Sequence, residues 1–168
     1  PALPAAVVPP HLRDAPPGSV VESAPAGVAV VDALARRLAV QGGAMLIIDY
    51  GYEGPALGET LQAVRAHAFT NPFDAPGSVD LSAHVDFAVL GAAAARAGAI
   101  VYGPVAQRDF LGQLGLAARA AKLASCSPDA ADAVAVAHHR LTDPGAMGVL
   151  FRAMALTGNG WPMPAGFA

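Results

Sequence analysis

Gly42-Gly43-Ala44-Met45-Leu46-Ile47-Ile48-Asp49-Tyr50-Gly51-Tyr52-Glu53-Gly54 is the stretch from which the fold is read. Met45 to Ile48 is an uninterrupted apolar run closed by Asp-Tyr-Gly. That pattern predicts a strand buried on both faces, as in parallel sheets. A long helical pattern precedes it and stops at Gly42-Gly43; a glycine-rich loop follows. Helix, buried strand and a polar residue at the strand's carboxyl end make one unit of an α/β sheet. Ligands of such sheets bind just beyond the carboxyl ends of the strands, so Asp49, Tyr50 and Gly51 are the first functional candidates.

Upstream, Pro4, Pro9, Pro10, Pro16 and Pro17 make residues 1–18 an extended lead-in without helix. Ser19 to Glu22 is readable as a short strand. A helix is predicted over 25–41, with Ser23 as cap and Pro25 in the first turn. Val28, Val31, Leu34, Ala35 and Leu38 form its apolar stripe. Downstream, a loop over 51–58 leads to a short helical turn over 59–67 and a second loop over 71–77. A helix is predicted from Asp80-Leu81-Ser82, capped by Asp80 or Ser82, with Asp86 favouring its positive end. It ends at Gly98, before a strand over 99–103. Helical patterns follow from Phe110 to Leu123, interrupted at Gly115, and from Ser127-Pro128, with Ser127 as cap, to Leu141. Val149 to Leu156 reads as the last strand, and 158–168 as an irregular tail. The order predicts an α/β domain over 19–157, with inserted helices before the final strand.

The chain has 168 residues and a formal net charge of -3, with Lys122 the one lysine. One domain with a real core fits that length, and no basic face points to nucleic acid. Mean hydropathy is +0.44, which suggests a surface covered by a partner or by further protein. Cys126 is alone, so no intrachain disulfide forms and nothing points to an oxidising compartment. No apolar run reaches the roughly 18 residues a membrane span needs. The start lacks a basic segment and does not read as a signal peptide. A cytoplasmic, bacterial setting is the expectation.

Five blocks carry a resemblance: "GGAMLIIDYGYEG", "ETLQAVRAHAF", "APGSVDLSAHVDF", "GPVAQRDFLGQLGLAARAAKL" and "MGVLFRAMAL", with "VVESAPA" upstream. In order and spacing they resemble the MidA family, class I S-adenosylmethionine-dependent methyltransferases of bacteria and mitochondria. The resemblance covers nearly the whole chain from residue 18. It implies a Rossmann-like methyltransferase sheet and a protein substrate, with arginine the methylated residue. The family's mitochondrial member methylates a subunit of respiratory complex I. The family's donor-binding glycine loop has no counterpart here, so the chain resembles the C-terminal half of such an enzyme. Residues 45–50 would then be the fifth strand, 99–103 the sixth, and 149–156 an antiparallel seventh inserted between them. Residues holding S-adenosylmethionine are expected in the N-terminal half.

The candidate catalytic residues are Asp49, Tyr50, His67 and His84; Gly51, Asp80 and Glu22 are candidates for substrate binding. Each has a plainer alternative. Asp49-Tyr50-Gly51 could be a strand-ending turn in which Gly51 supplies a positive φ and Asp49 caps a backbone amine. His67 and His84 could be hydrogen-bonded structural histidines, and no metal-ligand spacing exists. Asp80 could be a helix cap, Asp86 a complement to the helix dipole and Glu22 a solvated charge; a carboxylate at any of these places could also grip a guanidinium. The His138-His139 pair suits a helix C-terminus. The competing functional reading is an inactive partial domain that serves as an interaction or assembly module. A sheet edge left open beside Met45–Ile48 would favour a homodimer or pairing with the N-terminal half.

Overall fold

This computed structural model describes residues 8–54, 56–74 and 76–168; the first seven residues of the proline-rich lead-in, Pro4 among them, lie outside the described residues. Within the remainder of the lead-in, Pro10–Leu12 form a 3-10 turn rather than extended chain. Proline is tolerated in a first turn because its missing N–H would be unsatisfied there. Ser19 to Glu22 is not a strand.

Helix α1 spans Pro25–Gln41. Pro25 opens it, but its cap is Ala24 with no side-chain bond, so the predicted Ser23 cap is not made. Gly42 ends it in a positive-φ conformation, its N–H bonding Leu38 O at 2.8 Å. Val31 and Ala35 carry its buried stripe.

Strand β1, Ala44–Tyr52, is longer than the apolar run suggested. It is buried on one face only. Met45 and Ile47 pack against the core, whereas Leu46 and Ile48 remain 52% and 45% exposed.

Residues 59–67 are not helical. Gln62–Arg65 form β2 and Ala68–Thr70 form β3, a hairpin whose turn is Ala66 and His67, both with positive φ. Two positive-φ residues match the twist of a two-residue hairpin loop. Asp80–Ser82, read as the start of a helix, form β4 instead, pairing with β2. Three residues spaced like a helix turn are too few to nucleate one, and cross-strand partners decided the outcome.

Val85–Asp86 form β5, pairing in parallel with β1 at Gly51 and Tyr52. Helix α2 runs Phe87–Arg96, and its cap is Asp86, which accepts from Val89 N at 3.1 Å. Asp80 and Ser82 therefore cap nothing here. Strand β6 is Ile100–Ala106, with a register shift at Pro104, which has no N–H to offer the ladder. Helices α3 (Gln107–Gln113), α4 (Leu116–Cys126) and α5 (Ala131–Thr142) follow. Ser127 precedes a 3-10 turn and makes no side-chain cap. Strand β7, Phe151–Thr157, completes the chain's order.

The main sheet has the order β5-β1-β7-β6, with β7 antiparallel to both neighbours. The fold is thus α/β with an antiparallel last strand lying between β1 and β6, as the resemblance implied. Phe87, Met154 and Leu156 are fully buried where α1 and α2 cover the sheet. Before Gly51, the outer edge of β1 has no strand partner among the described residues.

Candidate functional site

The carboxyl end of β1 is where chemistry-bearing residues gather. Gly51 is buried there for a steric reason. A Cβ at this position would lie 2.5 Å from Val85 O and 2.6 Å from the Phe87 ring. Its φ is not positive, so close approach, not a left-handed turn, demands glycine. That approach brings β5 against β1 and sets His84, Val85 and Asp86 beside Tyr50 and Tyr52.

Tyr50 lies between two rings. Its centroid is 4.1 Å from that of Phe151 and 6.2 Å from that of His84, the latter ring stacked nearly parallel to it at 10°. Offset aromatic contacts of this kind fix ring orientation. Asp49 is exposed, and its Oδ1 accepts from Tyr50 N at 2.8 Å. Across the register Asp49 faces Arg152, yet Arg152 pairs with Glu53 at 3.1 Å, and its Nε is buried without a partner.

Glu22 organises the other wall. Its Oε1 accepts from Thr60 N at 2.8 Å and Leu61 N at 3.2 Å, and its Oε2 accepts from the Thr60 hydroxyl. Thr60 Oγ1 in turn accepts from His84 N at 2.9 Å. Glu22, Thr60 and His84 are therefore one bonded chain across 62 positions of sequence, counted from 22 to 84. Desolvation by burial pushes the Glu22 carboxyl up, but the Thr60 and Leu61 bonds and the nearby His84 outweigh it and hold its pKa below the ordinary value. Glu22 thus spends both oxygens on the loop rather than presenting them to a substrate.

The lowered pKa has a stability consequence. The contribution of Glu22 is present above its unfolded pKa and is lost as pH falls through the folded value. Glu22→Gln should lower the melting temperature at neutral pH, with the gap to the parent chain closing in acid, once the pH has fallen through the lowered carboxyl pKa. Thermal melts at neutral and at acid pH test this; an equal gap at both would remove the carboxylate from the account.

A cavity of about 740 Å³ opens beside these residues and runs between α1 and α2. Glu22, Tyr52, His84 and Asp86 stand at one end, Val28 and Leu90 line the wall, and Asp32 and Arg96 close the far end. Burial first, then the charges of Asp86 and Glu22, raises the Tyr52 pKa, so its hydroxyl keeps its proton. Asp32 is committed to Arg36 through two bonds, of 2.8 and 3.2 Å.

The structure brings together Glu22, Tyr50, Gly51 and His84, with Asp49 adjacent. His67 stands exposed at the β2–β3 turn and Asp80 exposed on β4, and no contact among the described residues links either to the Tyr50–His84 pair. Tyr52 and Thr60 were not among the sequence candidates, and Asp86 was read first as a charge favouring a helix start. Tyr52 carried a signal, lying two residues beyond Tyr50 on the same strand face. Thr60 carried none. No group of three or more His, Cys, Asp or Glu suited to a metal occurs among the described residues, and no helix is long and apolar enough to cross a membrane.

Residues 2–105 match a family described as "Putative S-adenosyl-L-methionine-dependent methyltransferase". The mitochondrial protein arginine methyltransferase NDUFAF7 homolog of Caenorhabditis elegans is 31% identical over 150 residues, 89% of this chain and 35% of that protein. The mitochondrial protein arginine methyltransferase NDUFAF7 of Danio rerio is 37% identical over 130 residues, 77% of this chain and 30% of that protein. A COG1565 superfamily crystal structure from Burkholderia thailandensis, bound to S-adenosyl-homocysteine, superposes with a TM-score of 0.74 at 27% identity. It covers 86% of this chain and 38% of that one. The chain therefore spans about a third of the length of the curated relatives it matches.

Proposed function

The chain belongs to this S-adenosylmethionine-dependent methyltransferase family, the MidA family, and from that premise we propose that it forms the acceptor-side wall of a protein arginine methyltransferase. The observation that carries the reading is the family match over 2–105, which spans β1 and the Tyr50–His84 rim. The arginine methyltransferase names of the relatives support the acceptor chemistry, and the S-adenosyl-homocysteine in the Burkholderia thailandensis protein supports S-adenosylmethionine as methyl donor.

The described residues do not by themselves fit the donor. The glycines after β1 lead into the β2–β3 hairpin, not to a helix N-terminus whose N–H groups could cradle a ligand. We therefore assign donor binding to protein outside this stretch, consistent with its span of about a third of the relatives' length. What these residues supply is position. Gly51 sets β5 on β1, Glu22 holds Thr60 and through it the His84 backbone, Tyr50 stacks on the His84 ring, and Tyr52 lines the cavity. Such pre-set geometry is the main lever available to an enzyme orienting a neutral nitrogen for attack.

A subunit of respiratory complex I is the substrate this reading favours, in a bacterial cytoplasm. Methyl transfer to that subunit by the longer protein, reduced by Tyr50→Phe and His84→Ala, is the expected result. Titration calorimetry of the chain with S-adenosylmethionine is expected to show no specific binding; ordinary one-to-one binding would put the donor site inside this stretch and overturn the assignment.

The open β1 edge supports a second reading, a module that works by association. Unpaired N–H and C=O groups beside exposed Leu46 and Ile48 form a template for another strand. Sedimentation of the chain alone should therefore show dimers or larger species. A stable monomer across the accessible concentration range would count against an edge in need of cover.

A further inference from the structure

The cavity between α1 and α2 has opposite charges at its two ends. At the end nearest the carboxyl end of β1 stands Asp86, whose Oδ1 caps α2 while its Oδ2 has no hydrogen bond among the described residues. The Tyr52 hydroxyl lies beside it, and the Glu22 carboxylate adds to the negative field. At the other end stands Arg96, in the last turn of α2, exposed and without an ion pair within 4 Å among the described residues; it lies in the field of Asp32, whose carboxylate Arg36 holds, so two guanidinium groups there face one carboxylate. The wall between them is apolar: Val28, Leu90 and Ala93. Ten residues separate Asp86 from Arg96 along α2, or about 15 Å at the rise of an α-helix.

We infer that this cavity is the track for the acceptor segment of the protein substrate, reading an arginine at the Asp86–Tyr52 end and an acidic residue four or so positions away at Arg96. The inference rests on the methyltransferase reading and adds to it a charge pattern in the substrate. An extended chain covers roughly 13 Å in four residues, which matches the separation once the Arg96 side chain reaches inward. Guanidinium and carboxylate suit each other in a bidentate pairing, and a methylene stem suits the apolar wall. Asp32 does not compete for the incoming cation, because Arg36 already holds both its oxygens. Nor does Glu22, which serves Thr60 and Leu61.

The test uses the chain itself and a fluorescent peptide, acetyl-Arg-Ala-Ala-Ala-Glu-amide, followed by anisotropy. Its partners are the same peptide with citrulline for arginine and with glutamine for glutamate. Loss of the guanidinium charge is expected to weaken binding on the order of tenfold, and loss of the carboxylate several-fold. Asp86→Asn keeps the helix cap, since asparagine caps as well as aspartate. It should reproduce the citrulline loss and leave the citrulline peptide unaffected. Arg96→Gln should do the same for the glutamine peptide. Equal binding of all three peptides, no binding of any, or losses indifferent to Asp86→Asn and Arg96→Gln would each overturn the track. None of those results touches the methyl-transfer assay of the longer protein. Failure of that assay would in turn leave the peptide result standing.

Discussion

Phe87→Ala is expected to destabilise the chain by about 3–5 kcal/mol, the range for removing a buried aromatic ring. Phe87 is fully buried at the first position of α2, in the cluster that joins α1, α2 and β7. Its ring also lies against Gly51. Truncation removes contacts on all of these sides, and the backbone cannot collapse into the gap while β5 remains paired with β1. A domain of this size loses roughly 2–4 °C of melting temperature per kcal/mol, so a drop of about 10 °C is the expected reading. A shift under about 1 kcal/mol would mean that the ring is not the wedge beneath the site.

Gly51→Ala should be the second large effect, about 1–3 kcal/mol from overpacking. The added methyl meets a backbone carbonyl, Val85 O at 2.5 Å, which has no rotamer to change. Relief requires β5 to move off β1, and His84 and Asp86 move with it. The variant should therefore lose the Tyr50–His84 contact as well as stability. Near-ultraviolet circular dichroism reports the first and thermal melts the second. Pairing Gly51→Ala with Phe87→Leu should recover only part of the loss, since the ring clash is eased and the carbonyl clash is not. The two changes touch, so their effects should not add. An unperturbed Gly51→Ala protein would sink the close-approach explanation of this glycine.

Long periodic segments were legible. Residues 25–41 carry a helix stripe and a glycine stop, and both ends of α1 fall where those signals lie. The placement of β7 followed from the resemblance, not from pattern, because nothing local in Phe151–Thr157 says which strands it separates. The stretch from 59 to 86 was misread for a physical reason. Its elements are two to four residues long, and each exists through a partner elsewhere in the chain. Likewise Asp86, weighed as a charge near a helix start or a grip for a guanidinium, is the cap itself. The rim was half legible: Tyr50 and His84 were candidates, and they do stack. The role of Glu22 was hidden because its partners lie 38 and 39 positions away.

The central place of β7 sets a timetable for synthesis. β1 and β6 share no hydrogen bond; each is joined to the sheet's middle only through residues 151–157. A ribosome therefore releases the apolar Met45–Ile48 segment about 100 residues before its partner exists. At typical elongation rates that is an interval on the order of 5–20 s. Pairings so distant in sequence also close slowly once both strands are available. During that wait the nascent chain carries an unpaired apolar strand, and a holding chaperone has a defined target and a defined moment of release.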